Sequence, residues 1–239
     1  MIHKINIRHY LQGLLLLLSA NIYAQENIIT AGFQYKPIFP SQFFNKGSEI
    51  TQNNINFSVQ PTYGFCGGMS IRRGFTPLIS VESGINYVKR RYQLSIIDGS
   101  FKGTSEFTIV GYEIPFLGLI FIRLGEKVFM DAGLGASLDM FPSSVIYTSD
   151  TYYSHFSYRK NWILAGLLAN LGYEFRTEKN GYFYLGASYH LPFTDIYNTS
   201  IKYEGNNNIE TIKTKLQGSY LTLDLRYFFH AEAIKKSKQ

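Results

Sequence analysis

The chain has 239 residues, 45% of them hydrophobic and 16% aromatic, with nineteen Tyr and nineteen Phe against one Trp, and a formal net charge of +6. This length supports one sizeable domain, and a charged fraction of 17% lies below the roughly 25% usual for soluble domains. No segment after the first turns of the chain approaches the ~20 continuous apolar residues of a membrane helix. The modest positive charge has no basic stripe with interleaved aromatics, which argues against a nucleic-acid partner.

In chain order, the first feature is a targeting segment. Lys4 and Arg8 form a positive region, residues 11–20 (LQGLLLLLSA) a short apolar one, and Ala24 a small residue before a cleavage point. Export follows, with residues 1–24 as signal peptide, 25–230 as the folded domain and 231–239 as a short basic tail. Removing Lys4 and Arg8 lowers the formal charge from +6 to +4. The single cysteine, Cys66, has no partner for a disulfide and reads as a small buried thiol.

Eight segments then alternate with period two, the signature of strands with unlike faces. The first (27–36) sets Ile29, Ala31, Phe33 and Tyr35 on its apolar face. The second, FSVQPTYGFCGGMSIR (57–72), holds one alternation for its whole length, with Phe57, Val59, Pro61, Tyr63, Phe65, Met69 and Ile71 on one side. At ~3.3 Å per residue it could span about 50 Å, well beyond the ~17–20 Å of ordinary strands. The third (79–90) opposes Ile79, Val81, Ile85 and Tyr87 to Glu82 and Asn86. In the fourth (107–123), Tyr112, Ile114, Phe116, Ile120 and Ile122 point out, which puts Glu113 and Arg123 inside. The fifth (128–140) opposes Val128, Met130, Leu134 and Leu138 to Asp131, Ser137 and Asp139. The sixth (162–176) and seventh (182–193) place Asn170, Glu174, Ser188 and His190 inward, and the eighth (219–229) does the same with Thr222, Asp224 and Arg226.

Short turns at 73–77, 124–127 and 177–181 alternate with long polar loops at 38–56, 94–106, 142–160 and 198–217. That rhythm, with an even strand number, predicts an all-β fold: an eight-stranded antiparallel transmembrane β-barrel with short periplasmic turns and long extracellular loops. It is integral to the bacterial outer membrane, with both termini periplasmic. A secreted lipocalin-like barrel is the soluble rival. Its outer face would be rich in Lys and Glu, whereas the non-apolar face here is mostly Gly, Ser, Thr and Asn. Pro61 and Pro192 fall near loop ends, while Pro115 lies mid-strand and predicts a bulge or break there.

An eight-stranded barrel is filled by its own side chains. The inward charges Glu82, Glu113, Asp131, Glu174 and Asp224 are therefore expected to pair with Arg72, Arg123, Arg176 and Arg226, as a structural polar network or as a gated ion path. Ser188 and His190 share a face, as the Ser and His of outer-membrane lipid A deacylases lie close, but here both point inward and no orienting carboxylate is assigned. His155 reads as a solvated loop residue. No zinc spacing, P-loop, GxSxG or HExxH motif occurs, so neither a metal nor a cofactor is expected. Tyr147, Tyr152, Tyr153, Phe156 and Tyr158 crowd the third loop, as a partner surface or as rings meeting lipopolysaccharide. The fourth loop is expected to be mobile, and Lys235, Lys236 and Lys238 make the tail basic.

The stretches AGFQYKP, ESGINYVKR, GYEIPFLGL, MDAGLGASLDMFPS and YLTLDLRYFF resemble the PorT-like outer-membrane β-barrel proteins of Bacteroidetes over essentially the whole mature chain. The resemblance implies a terminal strand read by the barrel-assembly machinery, here through Tyr227 and Phe229, and a part in type IX protein secretion. The expected function is therefore a non-enzymatic structural or interaction barrel in outer-membrane lipid and lipopolysaccharide. Its expected partners are secretion-apparatus or other envelope proteins. A lipid-modifying enzyme and a narrow ion conductor stand as alternatives.

Overall fold

The computed structural model describes residues 28–40, 45, 47–148, 152–205 and 209–230, so the expected signal peptide and basic tail lie outside the described residues. Every regular element among them is a strand. The chain order is β1 (Ile29–Phe39), β2 (Ser48–Gln52), β3 (Ile55–Gly74), β4 (Ile79–Asp98), β5 (Phe101–Arg123), β6 (Val128–Met140) and β7 (Val145–Thr148). It continues with β8 (Tyr153–Arg159), β9 (Ile163–Arg176), β10 (Tyr182–Pro192), β11 (Tyr197–Glu204), β12 (Ile209–Leu216) and β13 (Tyr220–Phe228).

All pairings are antiparallel. Hydrogen-bonded neighbours follow the order β1-β13-β10-β9-β6-β5-β4-β3, and β3 pairs back onto β1, so the ladder returns to its start. This arrangement satisfies backbone N–H and C=O groups on both sides of each strand, as an apolar surround demands. The strands of this ring correspond to the eight alternating segments. Among the described residues there are thirteen strands, not eight, because the four expected loops are largely strand where they are described. Residues 94–106 continue β4 and β5 to a tight turn at Gly99, with Asp98 paired to Phe101. β2 pairs with the far end of β3, and β7, β8, β11 and β12 form a second sheet.

The fourth loop, expected to be mobile, is thus mostly the β11–β12 hairpin. It buries Tyr197, Thr199, Ile201 and Tyr203 on one strand, and Ile212, Thr214 and Leu216 on the other. These extensions form a crown at the end opposite the termini.

The ring's inside and outside exchange character part way along the strands. On β4 the outward residues near the terminal rim are Ile79, Val81 and Ile85, while Ser80, Glu82 and Asn86 are buried inside. Beyond Tyr87 the outward side becomes Lys89, Arg91 and Gln93, and Val88, Tyr92, Leu94 and Ile96 are buried. β5 crosses over at the same height, with Tyr112, Phe116 and Ile120 outward below and Lys102, Thr104 and Glu106 outward above. Eight steps from Ile79 to Tyr87 at ~3.4 Å, tilted ~40°, give an apolar belt about 21 Å tall, close to the ~25 Å of an outer-membrane barrel.

Aromatic rings mark the upper edge of this belt. Tyr35–Phe65, Phe65–Tyr87 and Tyr87–Tyr112 sit 5.9–6.1 Å apart in a row across β1, β3, β4 and β5. Above it the crown encloses an apolar core that includes Phe57, Leu94, Ile96, Phe107, Ile109, Phe141, Ile196 and Tyr197. Each fully buried side chain of this size contributes roughly 1.5–3 kcal/mol.

β3 explains the sixteen-residue alternation. Its register with β4 shifts between Thr62 and Phe65, so an extra residue is accommodated there and the inward parity flips. Phe57 and Val59 are buried in the crown core, whereas Met69 and Ile71, of the same parity, face outward below. One apolar set therefore serves two environments, and the single face expected of it is corrected to two. Pro61 sits beside this bulge, at positions paired with neither β1 nor β2. Opposite Pro115 the β4–β5 ladder lapses for two pairs and resumes in the same register, a break without a bulge.

His155 is the other correction in the crown. It is 1% exposed, tilted against Phe107 with ring centroids 4.3 Å apart and stacked on Tyr147 at 5.6 Å, and neither ring nitrogen has a hydrogen-bond partner among the described residues. Burial pushes its pKa down to about 4. The unfolded chain, with an ordinary histidine near 6.5, takes up the proton first. Stability therefore falls as pH drops from about 6.5 towards 4 and is level above that window. Urea midpoints measured against pH should show this slope in the parent and lose it in His155→Leu.

Candidate functional site

The inward polar residues below the crossover form two layers, beside a buried apolar cluster of Leu117, Leu119, Phe121, Phe129 and Leu168. The lower layer lies near the terminal rim and is ionic. Arg72 on β3 faces Glu82 on β4 directly across the ladder, with Nη2 2.9 Å from Oε2. Its other arm reaches across the lumen to Glu174 on β9, and the guanidinium lies 4.1 Å over the Phe228 ring. Arg226 on β13 holds the second oxygen of Glu82 at 2.8 Å and also pairs with Asp224. Arg176 holds Glu174 at 2.6 Å and stacks over Phe129. Arg72, Glu82, Glu174, Asp224 and Arg226 are each no more than 3% exposed.

Two expected members behave otherwise. Arg123 belongs to the inward parity of β5 but ends the strand. Its side chain turns out to the exposed rim, where Nε donates to the Gly125 carbonyl at 2.9 Å. Asp131 is fully buried beside this layer, yet neither carboxylate oxygen has a hydrogen-bond partner among the described residues. Lys36, whose Nζ lies 3.5 Å from Asp224, joins the layer although it is not among the expected inward charges.

The upper layer lies just under the crown and centres on Glu113. Gln34, Gly68, Asn86, Glu113 and Asp139 occupy one register row across β1, β3, β4, β5 and β6. Gln34 Nε2 donates to Asn86 Oδ1 at 2.5 Å, over the gap left by Gly68, where a Cβ would meet that same oxygen at 2.5 Å. Asn86 Nδ2 then donates to Glu113 Oε1 at 2.9 Å, and the Tyr220 hydroxyl to Glu113 Oε2 at 2.6 Å. His190 stacks on Tyr220 with ring centroids 4.6 Å apart. Its Nε2 lies 2.9 Å from Asp139 Oδ2, 3.0 Å from Ser137 Oγ and 3.7 Å from Glu113 Oε2. Arg90 approaches Asp139 at 4.0 Å and lies over the Tyr220 ring.

Ser188 and His190 share a strand face but not a function. Ser188 Oγ donates to Asp224 Oδ2 at 2.5 Å, in the lower layer, while His190 belongs to the upper. Ser137 is the hydroxyl that meets the imidazole, and it meets the same nitrogen as the carboxylates. A charge-relay triad needs the nucleophile and the carboxylate on opposite ring nitrogens, and His190 Nδ1 has no hydrogen-bond partner. This arrangement is therefore not a charge-relay triad.

The signals for the upper layer were present in single strands, since Asp139, Ser137 and His190 all fall on inward parities. Their meeting depends on the stagger between β6, β9 and β10, which no single strand encodes. Tyr227 and Phe229 lie on the outer side near the terminal rim, edge-to-face at 5.4 Å, where Phe229 N–H donates to the Ala31 carbonyl at 2.9 Å.

Comparison with known proteins agrees with this architecture. The outer membrane protein OprG from Pseudomonas aeruginosa has a similar fold, with a TM-score of 0.54, 15% identity, and coverage of 87% of this chain and 98% of that one. The beta domain of the Bordetella autotransporter BrkA (9% identity, covering 85% of this chain and 98% of that one) and the translocator domain of NalP from Neisseria meningitidis (9%, 93% and 96%) overlay at TM-scores of only 0.34 and 0.29. No curated protein matches the chain. The family model described as outer membrane protein beta-barrel domain matches residues 24–198. With most of its length matched, a closed antiparallel ladder and an apolar outer belt, the chain belongs to the outer membrane protein beta-barrel domain family.

Proposed function

We propose that this chain is an integral, eight-stranded outer-membrane barrel that works as a docking or structural element rather than as an enzyme or a conductor. In this reading both termini and the short turns face the periplasm, and the crown stands outside the cell. The observation that carries it is the doubly closed lumen. An ionic layer of Arg72, Arg176 and Arg226 with their carboxylates fills the lower half, and the apolar crown core seals the upper end. A path for ions would need water through both layers, and moving a charge past the upper one costs several kcal/mol.

The same crown offers a rigid outer surface. Phe156 and Tyr158 on β8 stack at 5.8 Å and are each about two-fifths exposed, with Ile146 of β7 paired to Phe156. Exposed rings held on a sheet, above the belt and away from lipid, suit a protein partner. The resemblance to PorT-like barrels makes the class of partner a secretion-apparatus or other envelope protein, with Tyr227 and Phe229 read earlier by the barrel-assembly machinery.

The test is a mild-detergent purification of the tagged barrel from its own outer membrane, alongside the Phe156→Ser/Tyr158→Ser variant. Envelope proteins should accompany the parent and be lost from the variant, while both migrate as heat-modifiable compact forms. A solitary barrel, or one whose companions ignore the substitutions, contradicts crown docking. Single-channel steps in planar bilayers would favour the conductor, and lipid A changes abolished by His190→Ala would favour the enzyme.

A further inference from the structure

The upper layer gathers the ligand atoms of three buried side chains around one point. Glu113, Asp139 and His190 are each no more than 2% exposed, and their ligand atoms all lie within 4.8 Å of one another. Three oxygens converge on His190 Nε2, from Asp139 at 2.9 Å, Ser137 at 3.0 Å and Glu113 at 3.7 Å. A nitrogen carries at most one hydrogen, so Nε2 serves one of these oxygens, while Glu113 also accepts from Asn86 and Tyr220 and Ser137 carries a hydrogen of its own. Among the described residues neither oxygen of Asp139 has a partner in full hydrogen-bond geometry, although one sits 2.9 Å from the ring.

A cation at the centre of the group would take all of these donors at once. Metal–ligand bonds of ~2.1 Å place neighbouring ligands about 3.0 Å apart in an octahedron and about 3.4 Å apart in a tetrahedron. The observed 2.9, 3.0 and 3.7 Å bracket those values. The surroundings are arranged as around a bound ion. Asn86 and Tyr220 each donate to Glu113 and fix its orientation, and the Tyr220 ring holds the imidazole plane by stacking. One imidazole nitrogen with carboxylate and hydroxyl oxygens, and no thiolate, suits a divalent first-row ion of borderline hardness.

We propose that Glu113, Asp139 and His190, with Ser137 as a fourth ligand, form a structural binding site for one divalent first-row transition-metal ion inside the barrel, with Zn2+ as the probe that reports it. The site is closed above by the apolar crown core and below by the arginine layer, so the ion enters as the strands close rather than through an open mouth. It would tie β5, β6 and β10 together at the height where the inside of the ring changes from polar to apolar. This inference is independent of the docking role, which involves the opposite side of the crown wall.

The experiment is refolding of the whole chain from urea and chelator into detergent, with Zn2+ supplied alone, followed by desalting and elemental analysis. The compact form retains one zinc per chain and unfolds at a higher temperature than the chelated form. His190→Gln and Glu113→Gln weaken zinc retention at least 100-fold, and Asn86→Ala, which only orients Glu113, about tenfold. Compact wild-type protein that holds no stoichiometric zinc overturns the proposal, as does zinc retained undiminished by His190→Gln. Should those variants not fold, X-ray absorption on the zinc-loaded parent decides. One nitrogen and two or three oxygens at ~2.0–2.2 Å support the site, and a sulfur or several imidazoles overturn it.

Discussion

Replacing Arg72 with Met lowers the stability of the folded barrel by about 3–5 kcal/mol, the usual cost of removing one partner from a buried ionic group. Arg72 is 1% exposed and is shared between Glu82 on the adjacent strand and Glu174 across the lumen, so it ties β3, β4 and β9 at one height. Met fills similar volume over Phe228 but leaves both carboxylates short of a cation. Arg226 still holds Glu82 and Arg176 still holds Glu174, which limits the loss without removing it. Adding Glu174→Gln to Arg72→Met should recover part of the stability, because it removes the negative charge that the lost guanidinium leaves in excess in this buried layer. Urea midpoints for reversible folding into detergent or thin bilayers measure both. An Arg72→Met chain within 1 kcal/mol of the parent would mean that water reaches this layer.

The second large effect tests the exchange of inside and outside along the ring. On the outward face of β5, Phe116→Lys lies mid-belt and should cost about 2–4 kcal/mol in a bilayer. Thr104→Lys, on the same face of the same strand but in the crown, should cost nearly nothing, since that position is exposed among polar neighbours. The inward face behaves in the opposite sense. Ile109→Ala, fully buried in the crown core, should cost about 2–5 kcal/mol although it lies beyond the belt. Equal costs for the two lysine substitutions would contradict a belt that ends at Tyr112.

Much of this was legible in the sequence, for a physical reason. In the belt, lipid outside and packed polar groups inside impose opposite demands on alternate residues, so β6, β9 and β13 carry patterns whose inward and outward sets match the structure. In the crown the demands persist but change sign. β4 answers by moving its apolar residues to the other parity, and β5, whose inward face is already apolar at Leu117, Leu119 and Phe121, by making its outward face polar; both read as a lapse in the pattern. β3 answers with a bulge and keeps the parity, which reads as one long face. The β11–β12 hairpin was hidden because its alternation uses Thr, Tyr and Ile among Asn and Lys, a weak signal against turn composition.

The polar layers were legible as a set of inward charges but not as pairs. Arg72 and Glu82 are partners through the β3–β4 register, yet Arg72 and Glu174 are partners only through curvature of the whole ring. Arg123 shows the converse limit. Parity assigns it inward, but a long cation at a strand end is free to turn into water, and does. Asp139 is legible only as an inward residue, and Tyr220 and Arg90 not at all, because their significance arises only when His190 arrives beside them.

The central claim is that the outward surface of one continuous strand changes from lipid-facing to water-facing between Tyr87 and Lys89. Single spin labels placed outward along β4 at positions 81, 85, 89, 91 and 93, in a Cys66→Ala background and reconstituted in bilayers, measure it through collisions with oxygen and with a water-soluble nickel chelate. High oxygen and low nickel accessibility at 81 and 85, reversing at 89, 91 and 93, is the predicted result. A lipid signature that continues to 93, or a water signature already present at 81, would contradict the account.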